Sequence, residues 1–177
     1  MSAAVDLRAH VRDIPDFPKP GIVFKDITPL LLDPVALDAA VAGLAEIAAP
    51  LGIDYVVAAE ARGFILGAAL ARQLGTGFIP ARKPGKLPAD TVAARYILEY
   101  GVDALEMHAD ALAHGERVLV HDDLLATGGT ARALCDLVES LGATVVSCAF
   151  LVELRFLGGR QRLAPFDVHA LVGFDEE

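Results

Sequence analysis

Two adjacent carboxylates, Asp122 and Asp123, follow an apolar run and precede a loop of small residues, Ala126–Thr130. Glycines in such a loop allow a ligand to approach closely and allow positive φ angles. The N-terminal end of a following helix carries partial positive charge. There, backbone N–H groups can converge on a phosphate from four residues: Thr127, Gly128, Gly129 and Thr130. Because carboxylates repel a phosphate, we expect the two aspartates to accept hydrogen bonds from vicinal hydroxyls of a sugar phosphate.

Other interpretations explain only part of this stretch or do not match its spacing. An acidic surface turn that caps a helix would also place two acids before glycines. The stretch is not a Walker loop, because no lysine follows Gly128 and Gly129, and it lacks the GxGxxG spacing of dinucleotide-binding loops. A ribose 5-phosphate group, with its phosphate on the loop and its hydroxyls toward the acids, explains both features together.

Alternating strands and helices must position this loop. Apolar runs between turn residues predict strands at Tyr55–Ala59, Gly77–Ala81, Val118–His121 and Ala143–Glu153. Helices are predicted from Asp33 and Pro34 to Ala49, from about Phe64 to Leu74, and from about Thr130 to Leu141. This alternation favours an α/β fold with a mostly parallel central sheet flanked by helices, in which ligands bind at the carboxyl ends of the strands.

Less regular segments lie around these elements. A short helix is predicted over residues 3–12, and an irregular, proline-rich loop over residues 13–31. Residues 82–88 form a basic loop with proline and glycine, which we expect to be mobile. Residues 94–112 are predicted to form two strands around Gly101, as a hairpin.

Length and charge limit the classes of function. A chain of 177 residues suits one domain with a substantial core, and a net charge of −9 without a basic tract argues against nucleic acid as a partner. Apolar runs such as Val145–Val152 stop well short of the roughly 20 residues that cross a bilayer, so no membrane association is expected. The N-terminus lacks a signal-peptide pattern, and a cytoplasmic location is expected. Cys135 and Cys148 are expected to be buried thiols.

The segment HDDLLATGGT, between a predicted strand and a predicted helix, resembles the phosphoribosyl-pyrophosphate loop of the type I phosphoribosyltransferases. Six further segments resemble, in the same order, those of the family members that use adenine: IPDFPKPGIVFKDITPLL, EARGF, RKPGKLP, LEYG, EMHADAL and LVEL. The resemblance covers roughly residues 12–165. It implies the type I phosphoribosyltransferase fold as a single domain over residues 1–177, with a small hood at about 1–33 and a flexible hairpin loop at about 82–112.

The resemblance also implies a reaction: adenine and phosphoribosyl pyrophosphate give AMP and diphosphate, with Mg²⁺, through a transition state similar to an oxocarbenium ion. Asp122, Asp123 and Ala126–Thr130 would hold the ribose phosphate. Positive charge for the leaving diphosphate would come from Arg62, Arg82, Lys83 and Lys86. For the loop cations among them, a solvated basic loop is the alternative. Mg²⁺ would be bound mainly through substrate oxygens and water, without a dedicated cage of side chains.

The purine is expected to meet the segments VFKDI and LEYG. Val23 can offer its backbone N–H and C=O to an adenine edge, a pairing that mismatches 6-oxo purines, and Phe24 can stack on the ring or pack in the core. Lys25 stands where many members carry arginine and cannot make arginine's planar fork. By family analogy Glu99 handles the purine proton, with a pKa raised by apolar neighbours, although it could be an exposed hairpin acid. Tyr100 would help to close the hood.

Three more features follow from the resemblance. A basic residue of the 82–88 loop reaches a neighbouring subunit's site in the family, which implies a homodimer. A related loop contains a non-proline cis peptide, which corresponds here to Glu60–Ala61. His121 stands where the family usually has an apolar residue, and we expect it to be structural.

Two alternative functions remain open at this level. One is a sibling enzyme of the same family that uses xanthine, hypoxanthine or guanine. The other is a non-enzymatic regulator that senses the same ligand and binds DNA. The acidic charge and the lack of spare length for a DNA-binding module argue against the regulator.

Overall fold

The structure is a computed structural model, and it describes residues 5–98 and 101–176. Its strands are β1 (Arg12–Ile14), β2 (Phe24–Asp26), β3 (Tyr55–Ala59), β4 (Gly77–Ala81), β5 (Thr91–Leu98), β6 (Gly101–His108), β7 (Arg117–Leu125), β8 (Thr144–Leu154) and β9 (Val168–Phe174). Its α-helices are α1 (Thr28–Leu32), α2 (Pro34–Ala48), α3 (Arg62–Leu74), α4 (Gly129–Ser140) and α5 (Gly159–Arg162). Short 3₁₀ turns lie at Leu7–His10, Ala49–Leu51 and Arg155–Leu157.

Five of the described strands form the central sheet in the order β4-β3-β7-β8-β9, and each neighbouring pair is parallel. One face of the sheet packs against α4 and the hairpin of β5 and β6, and the other face packs against α2 and α3. The predicted α/β fold with a mostly parallel, helix-flanked sheet is therefore confirmed.

Both faces of the sheet are buried, as parallel sheets usually are. Successive residues of a strand point to opposite faces, so Val56 joins the cluster under α2 and α3 while Val57 joins the cluster under α4. Leu119 and Val120 divide in the same way in β7. The predicted burial of the cysteines is confirmed too, since Cys135 in α4 and Cys148 in β8 are buried free thiols with their sulfur atoms 3.7 Å apart.

By length and composition alone, one segment of the described chain could cross a membrane: Pro34–Leu51, which comprises α2 and the turn after it. Leu44 and Ala48 of this segment are fully buried in the cluster under α3 and the sheet. A core helix of a globular domain has the same composition, so this match is weak evidence for a membrane span.

The N-terminal segment differs from the prediction. In place of a helix over 3–12 and an irregular loop over 13–31, the described residues form a 3₁₀ turn capped by Asp6, then β1 and β2, then α1. The two short strands pair antiparallel, with Arg12 opposite Asp26. Local periodicity missed this sheet because its strands are three residues each and lie on either side of a proline-rich connection.

The hairpin of β5 and β6 is confirmed, with Thr91 opposite His108 and Leu98 opposite Gly101. Its first strand begins three residues before the predicted start at residue 94. The candidate catalytic residue Glu99 and its neighbour Tyr100 fall between these strands, outside the described residues.

Two corrections concern the strands nearest the proposed phosphate loop. The predicted strand Val118–His121 continues to Leu125, because β8 is long enough to pair with it: Asp122 lies opposite Phe150 and Leu125 lies opposite Glu153. The acids therefore lie within a strand and not in a surface turn. The sequence analysis also missed β9, whose register with β8 runs from Cys148 to Leu154.

Candidate active site

The small-residue loop lies at the carboxyl end of β7, where it leads into α4. A cavity of about 160 Å³ is lined by this loop and its neighbours, among them Asp122, Thr127 and Thr130. Gly128 precedes α4 with a φ of 81°, a conformation that favours glycine. The first turn of a helix leaves backbone N–H groups without intrahelical partners, so the cavity meets the requirements of an anion site.

Asp122 borders this cavity from within the sheet, and Asp123 follows it in β7. Asp123 is 4% exposed, and its N–H donates to Oδ1 of Asp122 at 2.9 Å. Burial raises the pKa of the Asp122 carboxyl well above its usual range, and the negative charge of Asp123 raises it further. A Cβ on Gly63 would lie 2.7 Å from Oδ1 of Asp122, so α3 begins in direct contact with this carboxylate.

Arg62, the first residue of α3, neutralises part of this charge. Its Nε donates to Oδ2 of Asp123 at 2.5 Å, and its guanidinium carbon lies 5.3 Å from the centre of the Phe24 ring. The side chain is half-exposed, so the cation faces both the acids and the open pocket. The segment before it contains the cis peptide Glu60–Ala61, as the resemblance implied.

The basic loop after β4 is held by acids. Arg82 Nη2 lies 3.4 Å from Oε2 of Glu60, and the backbone N–H of Lys83 donates to the other oxygen of Glu60. Lys83 Nζ lies 3.1 Å from Oδ2 of Asp103, and the N–H of Gly85 donates to Glu106. Two of the loop cations, Arg82 and Lys83, therefore have carboxylate partners without a bound anion.

A second cavity, of about 300 Å³, adjoins the first and shares Asp122 and Thr130 with it. The charged residues in its lining are the acids Glu60, Asp103, Asp122 and Asp123 and the bases Arg62 and Lys83. This pocket therefore combines the acids predicted to bind the sugar with two of the cations predicted to meet the diphosphate. Lys86 contributes its backbone carbonyl to Arg82 and lies on the exposed part of the loop.

The hood brings Phe24 toward the same pocket through its contact with Arg62. Phe24 is half-buried and makes an edge-to-face contact with Phe17, whose side chain is half-exposed. Val23 comes immediately before β2 and is half-buried. The aromatic pair thus offers a flat, partly open surface on the hood side of Arg62.

Lys25 does not join this pocket. Its ammonium is buried, donates to Oδ1 of Asp13 at 2.8 Å and lies 4.6 Å from the centre of the Phe174 ring. Side chains alternate along a strand, so Lys25 points away from the face that carries Phe24. The structure gives Lys25 a part in anchoring the hood, and its contacts do not support the predicted role in substrate binding.

His121 is fully buried beneath the acids. Its Nδ1 lies 2.8 Å from the carbonyl oxygen of Ala149, while Nε2 has no hydrogen-bond partner among the described residues. Burial lowers the pKa of His121 to about 4, so the ring is neutral near pH 7 and Nδ1 is the donor. These contacts support the expected structural role.

Three polar residues of the pocket were missed by the sequence analysis: Glu60, Tyr96 and Asp103. Tyr96 and Asp103 lie opposite each other in the hairpin, and the tyrosine hydroxyl donates to Oδ2 of Asp103 at 3.3 Å. The register in which Leu98 lies opposite Gly101 pairs these two residues, whereas a turn centred on Gly101 would have paired Tyr96 with Glu106. Nothing local in the sequence shows that the pair faces Lys83.

The chain was compared with known proteins and structures. A model of the phosphoribosyl transferase domain matches residues 35–176. The adenine phosphoribosyltransferase of Rubrobacter xylanophilus is 55% identical over 171 residues, which cover 96% of this chain and 92% of that protein.

Solved structures agree with this match. A crystal structure of adenine phosphoribosyltransferase from Thermoanaerobacter pseudethanolicus has a TM-score of 0.93 and 53% identity, with 96% of this chain and 98% of that chain covered. The enzyme of Giardia lamblia, complexed with 9-deazaadenine, has a TM-score of 0.93 and 35% identity, with 99% and 100% covered. This chain belongs to the phosphoribosyltransferase family, among its adenine phosphoribosyltransferases.

Proposed function

We propose that the two adjoining cavities form the active site, in which the phosphoribosyl group passes from phosphoribosyl pyrophosphate to adenine, giving AMP and diphosphate. The observation that carries this proposal is the shared wall of the two cavities at Asp122 and Thr130. A phosphate bound by the loop and a diphosphate bound near Arg62 and Lys83 would then lie on either side of the acids. A ribose that carries both groups fits this order.

The acids suit the ribose. Asp122 and Asp123 can accept hydrogen bonds from the 2′ and 3′ hydroxyls, while Ala126–Thr130 hold the 5′-phosphate. Arg62 donates a charge-assisted hydrogen bond to Asp123 and so fixes the position of this carboxylate. A negative carboxylate near the sugar also favours positive charge as it develops on the ring in the transition state.

Mg²⁺ fits the charge of this pocket. Four carboxylates and two cations line it, and it must still admit a polyanionic substrate. Among the described residues, no group of three or more metal-binding side chains converges on one point, so diphosphate oxygens, ribose hydroxyls and water would supply most ligands. Asp122 and Asp123 would hold the ribose hydroxyls that also bind Mg²⁺. When bound, Mg²⁺ would neutralise charge on the leaving diphosphate.

The leaving diphosphate would take Arg62, Arg82, Lys83 and Lys86 as partners. For Lys83 this means exchanging Asp103 for a phosphate oxygen, and for Arg82 it means leaving Glu60. The carboxylates and the diphosphate would compete for the same loop cations, so the contacts of the loop would change when diphosphate binds.

The purine would lie on the hood side of Arg62. Phe24 would stack on the ring, Val23 would pair its backbone with the amine-bearing edge, and Tyr100 would close the hood. Glu99 would accept or donate the imidazole proton. Phe24 is well placed for this role because its ring already faces the Arg62 guanidinium.

We also propose that the enzyme is a cytoplasmic homodimer in which a basic residue of the 82–88 loop reaches the neighbouring site. Sedimentation equilibrium tests the assembly. Lys86 is the loop cation to test, because it is exposed and Lys83 already lines the pocket of its own chain. Mixing an Asp123→Asn subunit with a Lys86→Ala subunit should restore activity in heterodimers if each site takes Lys86 from the partner.

A purine panel tests the function. With phosphoribosyl pyrophosphate and Mg²⁺, kcat/KM for adenine should exceed that for hypoxanthine, guanine and xanthine by roughly 10⁴-fold, because an acceptor that meets the amine would face another acceptor on a 6-oxo purine. Comparable values for adenine and hypoxanthine would contradict the assignment of the base site and favour a sibling enzyme.

A further inference from the structure

Glu153 and Arg160 form an ion pair at the end of the central sheet, beside the phosphate loop. Glu153 is 3% exposed, and Arg160 donates from Nε and Nη2 to its two carboxylate oxygens at 3.0 and 2.7 Å. The remaining nitrogen, Nη1, donates to the carbonyl of Val168, the first residue of β9. One guanidinium therefore ties α5 to both β8 and β9.

Through Gly159, the same short helix touches the loop. A Cβ on Gly159 would lie 2.2 Å from the carbonyl oxygen of Ala126 and 3.0 Å from a methyl carbon of Leu125. A Cβ on Gly128 would lie 2.7 Å from the carbonyl oxygen of Gly159. The two backbones are in direct contact, and each side of that contact is a glycine. Glu153 lies opposite Leu125 in the sheet, so the ion pair is adjacent to the point where the loop begins.

We propose that Glu153 and Arg160 are positioning residues for the 5′-phosphate. They fix α5, and α5 fixes the backbone of Ala126 and Gly128, so that the N–H groups of the loop converge on the phosphate. This inference rests on the proposed role of the loop. A loop of small residues has few side chains to restrict it, so neighbouring backbone must limit its conformations.

The contacts of Glu153 and Arg160 suit a role in positioning the loop better than a role in touching the substrate. Both carboxylate oxygens of Glu153 are used by Arg160, and three nitrogens of Arg160 already have protein partners. A planar fork with fixed partners gives orientation as well as charge. Displacement of a binding loop by about 1 Å can cost on the order of 10²-fold in rate or affinity.

Two variants test the inference. Gly159→Ala keeps the ion pair and pushes on the Ala126 carbonyl, while Glu153→Gln keeps the shape and removes the charge. Each should raise the Kd for ribose 5-phosphate and the KM for phosphoribosyl pyrophosphate by about 10- to 100-fold. The KM for adenine should stay within about twofold, because the residues proposed to bind the purine, Val23 and Phe24, lie at β2 and belong neither to the loop nor to α5. Arg160→Lys, which retains charge but not the fork, should fall between wild type and Glu153→Gln.

A purely structural role predicts a different pattern. Arg117 offers a matched control, since it begins β7, at the opposite end of this strand from the loop, and its guanidinium donates to the carbonyls of Leu51 and Gly52. Arg117→Lys should lower Tm and leave the Kd for ribose 5-phosphate unchanged. If Gly159→Ala and Glu153→Gln also lower only Tm, the positioning role is wrong. If Glu153→Gln does not fold, as can happen when one partner of a buried pair is removed, Gly159→Ala decides.

The same titration separates this inference from the proposed function. Asp123→Asn should weaken ribose 5-phosphate binding if the sugar phosphate occupies the two cavities. If Asp123→Asn has no effect, the proposed site is wrong, and the inference is overturned with it. If Asp123→Asn weakens binding and Gly159→Ala does not, only the positioning role is overturned.

Discussion

Nε of Arg62 lies 2.5 Å from Oδ2 of Asp123, which joins the first residue of α3 to the carboxyl end of β7. The same guanidinium lies 5.3 Å from the centre of the Phe24 ring in the hood. One half-exposed cation thus connects the acids proposed to bind ribose with the ring proposed to bind the purine. Loss of either contact would separate two parts of the pocket that must act on one substrate.

Asp123→Asn should weaken phosphoribosyl pyrophosphate binding with little effect on folding. A hydrogen bond to a charged group contributes about 1.5–3 kcal/mol, which corresponds to roughly 10- to 150-fold in Kd. Arg62 stays partly solvated after the change, so Tm should move little. Calorimetry with Mg²⁺ measures the affinity. Asp136→Asn, which disrupts an exposed pair with Arg132 on α4, is the control and should bind as wild type does.

Asp122→Asn should stabilise the substrate-free protein at neutral pH while weakening substrate binding. Because burial raises the pKa of Asp122 above 3.8, the folded state holds this proton to a higher pH than the unfolded chain does. Stability is therefore lost as the pH rises above about 4. The Tm of the variant should exceed that of wild type by an amount that grows as the pH rises above about 4 and becomes constant above the folded-state pKa of Asp122. A Tm difference that does not change with pH would contradict the effect of burial on the Asp122 carboxyl.

Lys86→Ala should lower turnover by about tenfold or more, the loss expected for one charged hydrogen-bond partner, without lowering Tm. The loop already has carboxylate partners at Glu60 and Asp103, so its order with and without diphosphate depends on an exchange of partners. Hydrogen exchange over residues 82–88 should slow when diphosphate and Mg²⁺ are added. Arg72→Ala, at an exposed position in the last turn of α3, is the control. Equal exchange in both states would contradict the proposed change of loop partners on diphosphate binding.

Glu99→Gln should be the substitution that harms chemistry most. General acid–base assistance is typically worth about 10²–10⁴ in rate, and glutamine keeps the shape while removing the titrating group. We expect kcat to fall within that range while affinity for phosphoribosyl pyrophosphate stays close to wild type. The pH–rate profile should also lose one limb. If Glu99→Gln turns over adenine at the wild-type rate, Glu99 does not transfer the proton, and water or the leaving diphosphate must do so.

Local sequence was sufficient for the elements proposed to bind the phosphate. The run from Val118 to Thr130 predicted a strand, a glycine loop and a helix start, and the structure has all three, because apolar periodicity and glycine conformation act over a few residues. The same reasoning placed four of the five parallel strands, without β9, and the hairpin around Gly101. It set the end of β7 too early, since that end depends on how far β8 continues beside it.

Only the tertiary structure decided which charges meet. Arg62 and Asp123 are 61 residues apart, and they pair because β3 and β7 are neighbours in the sheet and α3 begins where β3 ends. Lys25 and Asp13 pair because two three-residue strands lie in register, so the Lys25 ammonium has a partner outside the pocket. The sequence by itself therefore determined which groups are able to bind a ribose phosphate. The order of the strands determined which charges these groups pair with, because a charge pair depends on distance through space and not along the chain.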